Sequence, residues 1–171
     1  MSMGSEARLL LLDVDGVLTD GRITYGSGNI ELKSFDVKDG HGIKLVQRAG
    51  IEVGIITGRE SEVVARRASE LGIVHLYQGA KDKLIPYREI LQKTGLCDEA
   101  IAYVGDDLID LPILQRVGFS ATVSDAVDEV KERVDFVASR AGGHGAVREI
   151  CDILLRSQGL WDEVTSRYFK P

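Results

Sequence analysis

Residues 8–21 read RLLLLDVDGVLTDG, an unbroken apolar run that ends in Asp13 and offers a second carboxylate, Asp15, two residues later. A continuous rather than alternating run is the pattern of a strand covered on both faces, as in a parallel sheet. Further runs of the same kind follow at 52–57, 74–77, 100–105, 118–123 and 134–138. Helical periodicity lies between them, near 41–49, 60–71, 83–94, 107–116, 126–132 and 145–157, with Gly50, Gly72, Gly95 and Gly159 where helix C-caps are expected. Strands alternating with helices predict βαβ units in an α/β, doubly wound, mainly parallel sheet with helices on both faces.

Residues 21–36 break this alternation. RITY, GSGN and IELKSF predict a β-hairpin after the first strand, closed by a glycine-rich turn. Its G-x-G lacks the strand-before, helix-after context of a dinucleotide site. The whole chain, 1–171, is the size of one domain. Its 44% hydrophobic and 28% charged residues are ordinary for a globular protein. A net charge of −6 without basic clusters argues against a nucleic-acid partner. No window approaches the ~18 apolar residues of a membrane span, and the N-terminal MSMGSEA lacks the regions of a signal peptide. Cys97 and Cys151, outside any metal-ligand spacing, suit a reducing compartment, so a cytoplasmic protein is expected. The tail, 158–171, is unusual for a chain end in carrying Trp161, Tyr168 and Phe169.

Ligands of open α/β sheets bind beyond the carboxyl ends of the strands. Asp13 and Asp15 occupy that place on the first strand, and GDDLID supplies Asp106, Asp107 and Asp110 after AIAYV. Thr57, Gly58 and Arg59 end another strand, and Lys81 and Lys83 follow a third. A single Asp or Gly after a strand is an ordinary turn residue. Several carboxylates at one rim repel and need a cation, and hard oxygen donors beside a phosphate suit Mg²⁺. A carboxylate can attack phosphorus, a second can protonate the leaving oxygen, and a lysine and a hydroxyl can hold the equatorial oxygens.

DVDGVLTDG, IITGR, a lysine, and YVGDDLID, in that order, resemble the haloacid dehalogenase superfamily over essentially the whole chain. The resemblance implies Asp13 as nucleophile and Asp15 as acid/base, with Thr57 and Lys83 on the phosphoryl group. It implies Mg²⁺ on Asp13, the Asp15 main-chain carbonyl and Asp106, with Asp107 and Asp110 in support. Lys83 precedes the apolar residue that opens a helix and matches the family position better than Lys81, which reads as a turn residue.

No separate cap domain fits between the motifs. The hairpin, FDVKDGHGI, ITGR and RAGGHGAVREICDILL resemble the family of phosphatases for 3-deoxy-D-manno-octulosonate 8-phosphate. The resemblance implies a homotetramer joined through the hairpins, with a neighbour's C-terminal tail closing the active site. It implies sugar-acid contacts from Asp36, Val37, Lys38, Asp39, Gly40, Lys44, Arg59 and Arg67. A related branch that takes nine-carbon sialic-acid-type phosphates carries an acidic residue where this chain has Arg59, so the eight-carbon acid is expected. Arg67 lies only about 40° from the centre of its helix's apolar side, against about 140° for Arg66. It wants an anion there, either ligand or a local Asp or Glu. Lys44, opposite Ile43, Val46 and Ala49, suits solvent as well as ligand. His41, His75 and His144 form no metal or triad spacing; His41 and His144 fall in glycine-rich loops able to approach ligand. AGGHG can bind an anion at a helix start, but reads better as a turn that aims Arg148. Non-catalytic assembly modules share this fold, yet they need not keep nucleophile, acid/base, lysine and metal aspartate together, as this chain does. A receiver domain has no D-x-D on its first strand.

Overall fold

The structure, a computed structural model, describes Gly4 and residues 6–170. The rest of the N-terminal segment before Glu6, and Pro171 at the end of the predicted domain and tail, lie outside the described residues.

The opening leucines form β1 (Leu9–Leu12), all four buried. Each fully buried Leu contributes about 1.5–3 kcal/mol relative to exposure, so this strand anchors the core. It pairs in parallel with β4 (Glu52–Ile56) on one side and β6 (Ile101–Val104) on the other. With β5 (His75–Tyr77), β7 (Phe119–Thr122) and β8 (Phe136–Val137), the parallel sheet runs β5-β4-β1-β6-β7-β8. The chain first winds outward from β1 to β5, then crosses back to β6 and winds the other way. The reversal falls between β1 and β6, and at such a switch point the helices diverge and leave a crevice. Leu12 stands opposite Val104 there, and the Asp13 N–H donates to the Val104 carbonyl at 3.0 Å. Asp13 and the Gly105–Asp106 turn are therefore neighbours by topology.

The right-handed rule for parallel crossovers assigns α1 (Val37–Arg48) and α2 (Glu62–Leu71), which touch, to one face, and α3 (Leu84–Thr94) and α4 (Leu111–Leu114), which also touch, to the other together with α5 (Asp128–Lys131). The amphipathic α6 (Ala146–Ser157) returns to pack on α1. Gly72 and Gly95 cap α2 and α3 in the left-handed conformation, and Gly50 and Gly159 have positive φ just past α1 and α6.

Three boundaries depart from the sequence pattern. α1 starts at Val37, capped by the Asp36 side chain, so His41 is helical rather than in a loop. VKDGHG is poor in helix formers, and tertiary packing overrides propensity: a Cβ on Gly42 would crowd the Arg148 backbone and Cys151 of α6. The expected helix at 107–116 is a 3₁₀ turn, Leu108–Asp110, followed by the short α4. The tail forms α7 (Trp161–Thr165) and a 3₁₀ turn, Ser166–Tyr168, which the sequence pattern did not suggest. Trp161 packs on the core under the Arg156 guanidinium, 4.0 Å from the ring centroid, and Arg48 bonds the Val164 carbonyl and the Tyr168 hydroxyl.

Outside the sheet, β2 (Thr24–Tyr25) pairs antiparallel with β3 (Glu31–Leu32), and the Gly26 N–H donates to the Ile30 carbonyl to close the turn. Ile23, Tyr25, Ile30 and Leu32 are all exposed on it. Among the described residues no helix is long and apolar enough to cross a membrane.

Candidate active site

Asp13 follows β1 and is buried, while Lys83, also buried, enters from the start of α3. Lys83 Nζ lies 3.0 Å from Asp13 Oδ1 and 2.6 Å from Asp110 Oδ1. Asp110 Oδ1 also accepts from the Tyr103 hydroxyl at 2.6 Å, and its Oδ2 accepts the Asp106 and Asp107 N–H groups at 3.0 and 3.2 Å. Its acceptor capacity is thus occupied, which makes Asp110 a brace for the lysine and for the Asp106 turn. Gly105 is required beside it, because a Cβ would overlap the Asp110 side chain.

Oxygens of Asp13, Asp106 and Asp110 lie within 4.8 Å of one another. Among the described residues, Asp106 Oδ1 is buried with no hydrogen-bond partner. Burial, and then the neighbouring carboxylates, push the Asp106 carboxyl up to about 8. Burial also raises Asp13, to about 6, against the pull of Lys83. Burial alone would lower Lys83, but the charges of Asp13 and Asp110 outweigh it and hold the ammonium above its ordinary value. An orphaned carboxylate oxygen among crowded acids is a hard-oxygen site that lacks positive charge, and Mg²⁺ fits it. Asp13 and Asp106 have the free oxygens to hold the ion.

The loop after β1 is shaped to this cluster. Gly16 has φ +92°, and a Cβ on it would overlap Asp106 Oδ2. Behind it, Gly142 lies so close that a Cβ would strike the Gly16 carbonyl, and the Gly143 N–H donates to Val17 O at 3.1 Å. AGGHG therefore braces the D-x-D loop from behind; His144 is exposed.

Asp15 is half-buried at the rim. Lys33 Nζ, reaching in from the hairpin, is 2.5 Å from Asp15 Oδ1, and Arg59 Nε is 3.9 Å from Asp15 Oδ2. Arg59 donates through Nη2 to the Tyr25 hydroxyl at 3.0 Å and to Glu31 at 3.4 Å. Thr57 is buried at the end of β4, its N–H on Tyr77 O and its carbonyl accepting from Ala80, with Gly58 next to it.

The remaining expected contacts are placed differently. Asp36 caps α1 by accepting from the Lys38 and Asp39 N–H groups. Asp39 accepts the Arg148 N–H at the start of α6. Lys38 lines a cavity of about 580 Å³ with Arg140 and Arg148, and Val37 is exposed. Lys44 donates to Leu71 O at 2.6 Å. Arg67 has its guanidinium 5.7 Å from the Phe35 ring, fits over Gly40 and pairs with Glu70 at 3.4 Å, while Arg66 is exposed. Arg67 and Lys33 line one cavity of about 190 Å³. Asp107 is exposed and its carboxylate takes the Leu108 N–H. Lys81 is exposed, and His41 bonds the Tyr168 hydroxyl at 3.1 Å.

Sequence reasoning missed Tyr103, Lys33, Glu31 and Tyr25. A lone hydroxyl in the apolar strand AIAYV was a usable signal for Tyr103; nothing in the spacing singles out the hairpin residues.

A family model of haloacid dehalogenase-like hydrolases matches residues 61–150. The 3-deoxy-D-manno-octulosonate 8-phosphate phosphatase of Salmonella typhi is 52% identical over 163 residues, covering 95% of this chain and 87% of that protein. The chain belongs to the 3-deoxy-D-manno-octulosonate 8-phosphate phosphatase family of haloacid dehalogenase-like hydrolases. A solved structure of this phosphatase family, from Yersinia pestis, matches with TM-score 0.91 at 45% identity, covering 93% of this chain and 86% of that one. Another, the Moraxella catarrhalis phosphatase in complex with magnesium, phosphate and KDO, matches with TM-score 0.94 at 39% identity, covering 96% and 95%.

Proposed function

We propose that this chain is a Mg²⁺-dependent phosphatase that hydrolyses 3-deoxy-D-manno-octulosonate 8-phosphate to KDO and phosphate, in lipopolysaccharide precursor synthesis in the cytoplasm. The observation that carries the reading is the buried Asp13–Lys83–Asp110 chain beside the orphaned Asp106 oxygen. Relatives bearing that name span most of the chain, and one was solved with the product and both ions.

In this reading an Asp13 oxygen attacks phosphorus, and the bond from phosphorus to the sugar oxygen breaks. Asp15 gives that oxygen its proton. It then takes a proton from the water that attacks the aspartyl-phosphate, releasing phosphate and restoring Asp13. Lys83 keeps Asp13 ionised despite burial and, with Thr57, holds the equatorial oxygens. Asp13, Asp106 and the Asp15 carbonyl hold Mg²⁺, which supplies charge neutralisation where the anions meet. Arg59 takes the sugar-acid carboxylate, with Asp36 to Gly40, Lys44 and Arg67 on the rest of the sugar. Lys44, Arg67 and Asp39 would first release Leu71, Glu70 and α6.

Residues 1–171 act as one domain, and four copies associate through the hairpins, whose Ile23, Tyr25, Ile30 and Leu32 leave an apolar surface uncovered. The tail, held to α1 through Arg48 and His41 as far as Tyr168, presents an exposed Phe169 to a neighbour's site. Light scattering showing an active monomer would overturn this assembly.

The substrate reading is tested by phosphate release from a panel that includes the eight- and nine-carbon keto-acid phosphates. The eight-carbon substrate should have the highest kcat/KM. Arg59→Ala should lower it about tenfold to a hundredfold, the worth of a charge-assisted pair, and barely change p-nitrophenyl phosphate. Preference for the nine-carbon substrate would transfer the assignment to the sialic-acid-type branch.

A further inference from the structure

The hairpin lysine has no role in the chemistry above. Lys33 stands one residue past β3, outside the main sheet, yet its side chain is 0% exposed. A lysine is rarely buried to that degree unless its ammonium is paired. Its partners are Asp15 Oδ1 at 2.5 Å and Glu31 at 3.6 Å. The contact is selective for one oxygen. Among the described residues, the charged partner of Asp15 Oδ2 is the Arg59 guanidinium, 3.9 Å away and beyond hydrogen-bond distance. One oxygen of Asp15 is thus pinned by an ammonium, while the other has a guanidinium near it but no hydrogen bond from it.

We infer that Lys33 is a positioning residue that acts through Asp15, fixing the carboxyl so that Oδ2 alone presents the proton to the leaving oxygen. The inference rests on the acid/base reading of Asp15. A carboxyl at the rim of an open site has a nearly free terminal rotation, and a proton donor is effective only when it is held on the line to its acceptor. Tying Oδ1 to a buried ammonium removes that freedom. The hairpin thereby contributes to the chemistry of its own subunit.

The test separates positioning from folding by the basicity of the leaving group. Phenyl phosphate and p-nitrophenyl phosphate differ little in size, but phenolate is the more basic leaving group and needs the proton more. Lys33→Met should lower kcat for phenyl phosphate at least about tenfold more than for p-nitrophenyl phosphate, inside the roughly 10²–10⁴-fold that a positioned acid supplies. Lys33→Arg should restore most of the ratio. Tyr25→Phe, which loosens the hairpin at Arg59 without touching Asp15 or Lys33, should leave the ratio near wild type. If Lys33→Met does not fold, Lys33→Gln takes its place in the same comparison. Equal losses on both substrates from a folded Lys33 variant overturn the inference, as does a ratio shifted equally by Tyr25→Phe. Asp15→Asn serves as the reference. If it shows the leaving-group effect and the Lys33 variants do not, the acid/base reading stands and the role of Lys33 falls. If Asp15→Asn itself shows none, both fall together.

Discussion

Lys83 and Asp110 are both buried and stand 2.6 Å apart, Nζ to Oδ1, beneath the carboxylate of Asp13. The pair ties the start of α3 to the turn after β6 at the point where the sheet order reverses. It also spends positive charge inside the fold, where desolvation is costly unless every partner is in place.

Lys83→Met leaves Asp13 and Asp110 buried without their cation. Removing one partner of a buried pair typically costs about 3–5 kcal/mol, so urea should unfold this variant at a clearly lower concentration. A midpoint equal to wild type would show that the acids are neutralised some other way.

Metal should act in the opposite direction. Mg²⁺ at a hundred times its Kd should stabilise the fold by about 2.7 kcal/mol, seen as a rise in Tm. Asp106→Asn removes a free donor oxygen and should abolish most of that rise. Chelation with EDTA should silence the wild-type enzyme, and Mg²⁺ should restore it. The same Tm increase in Asp106→Asn would place the ion elsewhere.

Gly16→Ala introduces two conflicts at once, a φ of +92° and a methyl group in the space of Asp106 Oδ2. The expected outcome is a destabilised protein whose Tm no longer responds to Mg²⁺, because relief of the clash moves Asp106. Gly28→Ala provides the comparison, since its positive φ has no atom nearby. It should cost stability yet keep the metal response. Matching metal responses in the two variants would argue against the close approach.

Asp39 gives a pH signature away from the acidic cluster. Its Oδ2 is buried without a hydrogen-bond partner among the described residues, and burial, against the Arg148 N–H and with the added push of Asp36, raises its carboxyl from 3.8 to about 6. The folded state therefore holds this proton more tightly than the unfolded chain, and the contribution of Asp39 to stability falls as pH rises from about 3.8 to about 6. Asp39→Asn should gain on wild type through that window and hold a constant lead above it. A lead that does not change with pH would show that Asp39 titrates normally.

The fold was legible because periodicity is a local property, and six apolar runs with intervening amphipathic segments leave few topologies open. The site was legible for a related reason: Asp13 and Asp106 are far apart in sequence, yet the switch point brings the ends of β1 and β6 together. The start of α1 at Val37 rather than near residue 41 was not legible, because nothing local shows that Arg67 and α6 occupy the space beside Gly40 and Gly42. Lys33 was hidden likewise, since its burial depends on where a two-residue strand pair folds back over the rim. The expectation that Arg67 wants an anionic partner is met in this state by Glu70, which has no way of being ranked above a ligand from sequence alone.

The central claim is that Asp13 is the nucleophile. The most direct measurement is phosphate release from 3-deoxy-D-manno-octulosonate 8-phosphate, with Mg²⁺, by wild type and by Asp13→Asn of matched circular dichroism. Losing the attacking oxygen should lower kcat by at least about a thousandfold. A folded Asp13→Asn protein that turns over at the wild-type rate would contradict the account.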